Sequence, residues 1–500
     1  MIILKFSAYT FVITVLVLVT GCYNIEAQFT KYQKPSQKIL PSKPNILFIY
    51  TDDQAPWALG HSGNQQAITP NLDKLASQGM YFPNAYVTTP VCSPSRASLL
   101  TSQYGHELGI SDWININPNA KTLSGHQYGV GLDTQFETWP EILQTQGYYN
   151  GLIGKWHLGS EDKHHPTMHG YNEFTGFREG GTSTINPLLE VKGKKIEHAG
   201  LTIDVLTNYA LAFLEEHKNK TFSLSLHYRA PHYRFLPVSS DDAAPFDNMK
   251  IELPHPDYPN LNISRATKLM RDYLSSVKGI DRNVGRVLKR LDQLNLSENT
   301  IVIFTSDHGY TIGQNGIWHK GNGFWLLNTP PQSSKNVPSG QRPNLYDNSL
   351  KVPTIVRWPG VIQPDSVNHS SMSNLDWFPT LVSVAGGKAS LNNIVRGQNY
   401  LPAFLDENKI LSSDYYAAYS TLHQSLTHMR MYSDGDYKLI RDFKNPKRDE
   451  FYNLKDDPLE SRNLLAYPLS VEQTLLVKTF HQKILQKMIS TNDPVLKELK

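Results

Sequence analysis

Disulfides are the first thing this chain cannot have in number, because it holds two cysteines in 500 residues. Cys22 stands at the end of an apolar N-terminal stretch, where export processing would use it. The exported chain then keeps a single thiol, Cys92, with no partner to bridge. Charge of one sign is equally scarce. The formal net charge is +3, so no global basic field draws nucleic acid. No block of Lys and Arg interleaved with aromatics supplies a local one. Attraction for an anion must therefore be local. The N-terminal apolar run is shorter than the roughly 20 residues of a membrane span. Internal repeats and low-complexity tracts are also missing.

What is present begins with an export signal over residues 1–22: Lys5, an apolar core over residues 11–19, and Val19-Thr20-Gly21 before Cys22. Leu18-Val19-Thr20-Gly21-Cys22 resembles the lipobox of bacterial lipoproteins. The resemblance implies cleavage before Cys22 and a lipid on it, anchoring the protein to the cell envelope (outer membrane or periplasm). Ordinary cleavage after Ala27 is the alternative and leaves a soluble periplasmic protein. Residues 23–43 are polar and read as a tether. The remainder suffices for a large domain, residues 44–389, and a smaller one, residues 390–500.

Four short apolar runs end in chemically competent residues. Residues 45–50 lead to Thr51-Asp52-Asp53, and residues 149–154 to Lys155-Trp156-His157. Residues 222–226 lead through Arg229 to Pro231-His232, and residues 300–304 to Ser306-Asp307-His308-Gly309. Continuous apolar runs of this length predict strands buried on both faces of a parallel sheet. Between them, Leu269, Tyr273, Val277, Ile280, Val284, Val287 and Leu291 recur at three- and four-residue steps and predict a helix over 266–294. A second helix is expected over 204–214. This alternation predicts an α/β fold: a large doubly wound, mixed, mostly parallel sheet flanked by helices. Ligand sites of such sheets lie at the carboxyl ends of the strands, where all four polar clusters fall. After residue 360 the pattern changes. A helix from 376, short strands at 429–432, 437–441 and 450–454, and a helix over 470–488 predict a C-terminal α+β domain with an antiparallel sheet.

The lone thiol sits in Cys92-Ser93-Pro94-Ser95-Arg96. Pro94 suits the first position of a helix over 95–100, which holds Cys92 at the helix N-terminus with Arg96 one turn on. Free N–H groups, the positive helix end and a guanidinium then converge as an anion site requires. Asp52, Asp53 and Asp307 would bring three carboxylates together, and their repulsion calls for a hard divalent cation. All-oxygen ligation favours Ca²⁺ or Mg²⁺. An Asp-Asp pair after a strand can also cap a helix; the second acidic strand end favours the metal.

Cys-x-Pro-x-Arg followed by a Leu-Thr-rich helix resembles the signature of the formylglycine-dependent sulfatases, of the alkaline-phosphatase-like superfamily. Further motifs follow in order along nearly the whole chain. The resemblance implies that a maturation enzyme oxidises Cys92 to an aldehyde. It implies that Asp52, Asp53, Asp307 and the modified Cys92 hold a metal, usually calcium. His308 stands where many members have asparagine. Imidazole is a poor calcium ligand, so His308 is read as a metal-site residue or as a donor to sulfate or to the metal's outer shell. In Gly-Lys-Trp-His-Leu-Gly, Lys155 would neutralise sulfate, and His157 would bond the aldehyde hydrate or the leaving oxygen. His232, in Arg-Ala-Pro-His, matches the second catalytic histidine. Lys320, in Gly316-Ile317-Trp318-His319-Lys320-Gly321, matches the second sulfate-binding lysine.

The chain departs from the family at one point. The lysine is usually followed closely by an aromatic-acidic stretch leading to Val-Pro, whereas here residues 322–343 intervene. Arg342 is the alternative to Lys320, and the insertion is expected to shape the pocket. His61, His106, His227 and His423 read as structural. The 26 Tyr and 8 Trp suit sugar-face contacts, although most serve core and surface. The expected activity is sulfate ester hydrolysis on a carbohydrate. Algal polymers such as ulvan or carrageenan come first and animal glycosaminoglycans second. A phosphate or phosphonate ester hydrolase and an inactive surface glycan-binding protein are the competing readings.

Overall fold

The computed structural model describes residues 43–115 and 131–499. The export segment, Cys22 and the tether up to residue 42 lie outside the described residues. Every residue of the Asn45–Thr51 strand is buried. It pairs in parallel with Phe222–His227 on one side and Thr300–Ser306 on the other. Tyr149–Lys155 continues the sheet beside Phe222–His227, and Glu173–Phe177 lies beyond it, both parallel. The four runs singled out by their apolar content are thus four adjacent strands in the middle of a ten-stranded sheet. Shorter strands extend it, with Ile355–Arg357 antiparallel on one side and the hairpin of Leu188–Val191 and Lys194–Glu197 on the other.

Alternation along the first strand explains why both faces are apolar. Leu47 and Ile49 pack with Leu206, Phe213, Ile280, Val284 and Val287 from helices Thr202–His217 and Ile263–Gln293. Ile46, Phe48 and Tyr50 point the other way, into a cluster with Leu99, Leu100, Trp139 and Phe378. Each such side chain contributes roughly 1.5–3 kcal/mol on burial. The long helix buries all seven residues of the expected stripe. It starts at Ile263, three residues earlier than expected, because the Asn262 side chain accepts the Arg265 N–H at 3.0 Å and caps it.

Register sets where the chemistry falls. Thr51 lies opposite Ser306, and His227 lies opposite both Tyr50 and Gly154. The residues following these strands therefore emerge at one level along one sheet edge. The Cys92 helix runs over Cys92–Thr101, three residues earlier than expected. Pro94 sits inside the first turn instead of opening it, which is tolerated because first-turn amides have no intrahelical acceptor. Cys92 itself becomes the first helical residue.

The C-terminal part carries a four-stranded antiparallel sheet of Tyr415–Thr421, Thr427–Ser433, Tyr437–Asp442 and Glu450–Asn453. Phe480, Ile484 and Met488 of helix Val471–Ser490 pack against Leu439 and Phe451 of this sheet. The large mixed sheet with flanking helices and the antiparallel C-terminal sheet match the expected fold class. No helix among the described residues is long and apolar enough to cross a membrane.

Candidate active site

Three carboxylates meet at the common sheet edge, and each has its own cation. Lys155 Nζ lies 2.7 Å from Asp52 Oδ2, Lys320 Nζ 2.7 Å from Asp53 Oδ1, and Arg96 Nε 3.0 Å from Asp307 Oδ2. All six side chains are buried. Burial alone would raise the carboxyl pKa values. Against it, the Lys155 ammonium holds Asp52 below the usual carboxylate range, and Lys320 holds Asp53 well below it. Burial wins at Asp307, whose pKa is raised. The Arg96 guanidinium also donates to the Lys155 carbonyl at 3.1 Å and lies over the Tyr50 ring. Asp53 adopts φ +71, a left-handed backbone that non-glycine residues seldom take. Its N–H donates to Asp307 Oδ1 at 3.1 Å, and Tyr273 of the long helix donates to its carbonyl at 2.8 Å. No helix follows the Asp-Asp pair, so it caps none.

Cys92 Sγ lies 3.1 Å from Lys320 Nζ and 3.4 Å from both Asp52 Oδ1 and His308 Nε2. His308 donates from Nδ1 to the Gly309 carbonyl at 2.9 Å, which turns Nε2 inward to 3.0 Å from Asp53 Oδ1. Burial opposes its protonation, but Asp307 and Asp53 raise its pKa to about 10. Donor atoms of Asp52, Asp53, Cys92 and His308 all lie within 4.8 Å of one another. Asp53 Oδ2 is buried with no hydrogen-bond partner, an arrangement that a cation would satisfy. The residues present thus fit a divalent ion. Asp307 stands beside this set, its oxygens engaged by Arg96 and the Asp53 amide.

A cleft of about 460 Å³ opens over the cluster, lined by Cys92, His157, His232 and Lys320 among others. His157 Nε2 lies 3.0 Å from the Ile114 carbonyl. A carbonyl only accepts, so Nε2 carries the proton and Nδ1 the lone pair. Burial, helped by Lys155, pushes its pKa well down. His232 bonds the Tyr233 carbonyl through Nδ1 at 2.6 Å. Burial lowers its pKa to about 3 despite Asp53 and Asp52. Both imidazoles are therefore neutral.

All ten residues picked from the sequence, Cys92, Arg96, Lys155, His157, His232, Lys320, Asp52, Asp53, Asp307 and His308, lie in this one neighbourhood. Arg342 does not join them. Its guanidinium pairs with Glu450 and lies 5.6 Å from the centre of the Trp325 ring. His61 packs on Tyr81, His106 bonds Thr491, and His227 bonds the Lys155 carbonyl. His423 reaches the Trp113 carbonyl at 2.7 Å. Trp113, Glu179, Phe324 and Gln424 also line the cleft and carried no local motif. Only Phe324 had a signal, because it falls in the 322–343 insertion. There Asn322–Trp325 folds back antiparallel on Ile317–His319.

The family described as Sulfatase matches residues 44–387, and the one described as N-sulphoglucosamine sulphohydrolase, C-terminal, matches residues 341–490. N-acetylglucosamine-6-O-sulfatase of Bacteroides thetaiotaomicron is 27% identical over 546 residues, covering 92% of this chain and 89% of its own. N-acetylgalactosamine-6-sulfatase of Mus musculus is 31% identical over 376 residues, covering 73% of this chain and 67% of its own. A crystal structure in complex with k-i-k-neocarrahexaose superposes with a TM-score of 0.70 at 25% identity, covering 89% of this chain and 92% of that one.

Proposed function

The chain belongs to the sulfatase family, and from that premise we propose that it cleaves a sulfate ester from an amino-sugar saccharide, with residue 92 as a formylglycine. It is a sulfuric ester hydrolase acting on sulfated carbohydrate. The convergence of Cys92 with three buried cations at one strand edge carries the reading. Support for the sugar comes from the 6-O-sulfatase of N-acetylglucosamine, a relative that matches nearly the whole chain. The neocarrahexaose complex keeps a carrageenan-type galactan as the second candidate.

Oxidised and hydrated, residue 92 supplies two hydroxyls on one carbon, one to attack sulfur and one whose deprotonation expels sulfate and restores the aldehyde. A divalent ion, calcium by the family's habit, would be held by the carboxylates of Asp52, Asp53 and Asp307 and by residue 92, with His308 beside them, and would draw charge from a sulfuryl oxygen. The chain's own groups do the rest. Lys320 and Lys155, with Arg96 behind them, hold the negative charge of the sulfuryl group. His157 accepts a proton at Nδ1, since its Nε2 is committed to the Ile114 carbonyl. The sugar oxygen takes its proton from the Lys320 ammonium, because the one proton of neutral His232 is committed to the Tyr233 carbonyl, which leaves His232 Nε2 as an acceptor toward the substrate. We further propose export through residues 1–22 with lipidation at Cys22 (ordinary cleavage after Ala27 being the alternative), maturation by a formylglycine-generating enzyme, and division at residue 389 into catalytic and C-terminal parts. These rest on the sequence patterns.

Sulfate release from 6-O-sulfated N-acetylglucosamine, sulfated galactan oligosaccharides, an aryl sulfate and an aryl phosphate tests the proposal. Turnover of the sulfates with the amino sugar preferred is expected. Turnover of the phosphate in preference to every sulfate would overturn it.

A further inference from the structure

We infer that Glu179 selects the sugar: its carboxylate accepts a hydrogen bond from a hydroxyl or ammonium of the sulfated residue and disfavours a sugar bearing a second anion. The inference rests on the sulfatase reading and names the substrate class of that same site. The cleft is electrically graded. Its one lining lysine, Lys320, stands 3.1 Å from Cys92 Sγ, where the sulfuryl group is to be held. Glu179 is the one carboxylate among the described residues that line it. A substrate with an anionic group at one end and hydrogen-bond donors at the other is oriented by that gradient.

Glu179 is held beside the reacting groups. The preceding residue, Arg178, gives its carbonyl to the His157 N–H at 3.1 Å. Its guanidinium is fixed at 2.8 Å to Glu190 and at 2.8 Å to Asp162. The following residue must be glycine, because a Cβ on Gly180 would stand 2.6 Å from His157 Nε2. The Glu179 backbone is thus clamped against the histidine at which the proposed reaction moves a proton. Its carboxylate is not spent on another partner: Lys195 approaches only to 3.9 Å, and the two side chains are 67% and 36% exposed. Such exposed pairs contribute little and exchange readily. Trp113 and Phe324 on the same lining supply apolar surface for the sugar body.

The test compares kcat/KM of the wild type, Glu179→Gln and Glu179→Asp on 6-O-sulfated glucosamine and on glucosamine 2-N,6-O-disulfate. The wild type is expected to favour the monosulfated sugar. Glu179→Gln should lower that preference on the order of tenfold, the loss of one charge-assisted hydrogen bond, mostly through KM. Glu179→Asp should restore part of it. A preference unchanged within about twofold in Glu179→Gln, or a wild type that favours the disulfate, overturns the inference while leaving the sulfatase reading standing. A wild type that releases sulfate from neither sugar nor an aryl sulfate defeats the reading itself, and the inference with it.

Discussion

One cation per carboxylate is the arithmetic of the site, and it makes the residues separately testable. Lys320 touches both Asp53 and Cys92, at 2.7 and 3.1 Å. Lys320→Ala removes a donor whose contact strengthens as charge develops on the sulfuryl oxygens. The expected loss is on the order of 10² to 10³ in kcat on an aryl sulfate. Arg342→Ala should behave differently, since its guanidinium is bound to Glu450 and Tyr346 and does not line the cleft. Leaving Glu450 unpaired should lower stability by about 3–5 kcal/mol with kcat little changed. Steady-state kinetics and denaturant unfolding of both variants decide it; a near-normal kcat for Lys320→Ala with collapse for Arg342→Ala contradicts the assignment. Residues of this kind were legible because their chemistry needs fixed neighbours in the chain: Cys92 with Arg96, and Lys155 with His157. Glu179 and Trp113 were not, because what places them on the cleft lining is contact with residues distant in the chain, His157 for the Glu179 loop and His423 for Trp113.

At the level of elements, the segment of residues 112–115 joins the chemistry to the C-terminal sheet. Ile114 accepts from His157 Nε2 and donates its N–H to Ser93 Oγ at 2.9 Å. Asp112 fixes the segment's start by accepting from Tyr419 at 3.0 Å and the Leu422 N–H at 2.7 Å. Burial raises the Asp112 pKa to about 7 from an ordinary value of 3.8. The folded state therefore binds a proton that the unfolded state has already lost between those pH values. Its contribution is fully present below about pH 4 and is lost as pH rises through 7. The stability of the wild type relative to Asp112→Asn should fall between pH 4 and 7, measured by denaturant unfolding at each pH. A difference that is flat or rises with pH would contradict the buried neutral acid. The central strands were readable because burial on both faces leaves a continuous apolar run. The start of the Cys92 helix was misjudged by three residues because proline is acceptable at several first-turn positions. Strand Tyr415–Thr421 went unread, its apolar and hydroxyl residues mixed without a period.

Taken whole, the molecule places three buried cation–carboxylate pairs under the cleft where four parallel strands end, and Gln424, from the first hairpin of the C-terminal sheet, lines the cleft. Ala418 of that sheet donates its N–H to the Thr88 carbonyl at 2.9 Å, four residues before Cys92. Tyr415 stacks on Tyr86 with ring centres 3.7 Å apart. A buried knot of Lys438 with Asp347 and Glu460, each at 2.7 Å, ties the sheet to the segment after the insertion. The mostly parallel sheet was legible because four apolar runs with polar ends imply strands buried on both faces that end together; their order in the ten-stranded sheet was not. Nor was the docking of the C-terminal sheet, because it depends on contacts between residues far apart in the chain, Ala418 with Thr88 and Tyr415 with Tyr86 among them. The account turns on residue 92. The deciding measurement is peptide mass spectrometry of Cys92 on preparations made with and without a formylglycine-generating enzyme, set against sulfate release by the same samples. Activity is predicted to rise in proportion to the fraction of residue 92 carried as formylglycine and to vanish in Cys92→Ala; full activity from a preparation holding only the thiol would contradict it.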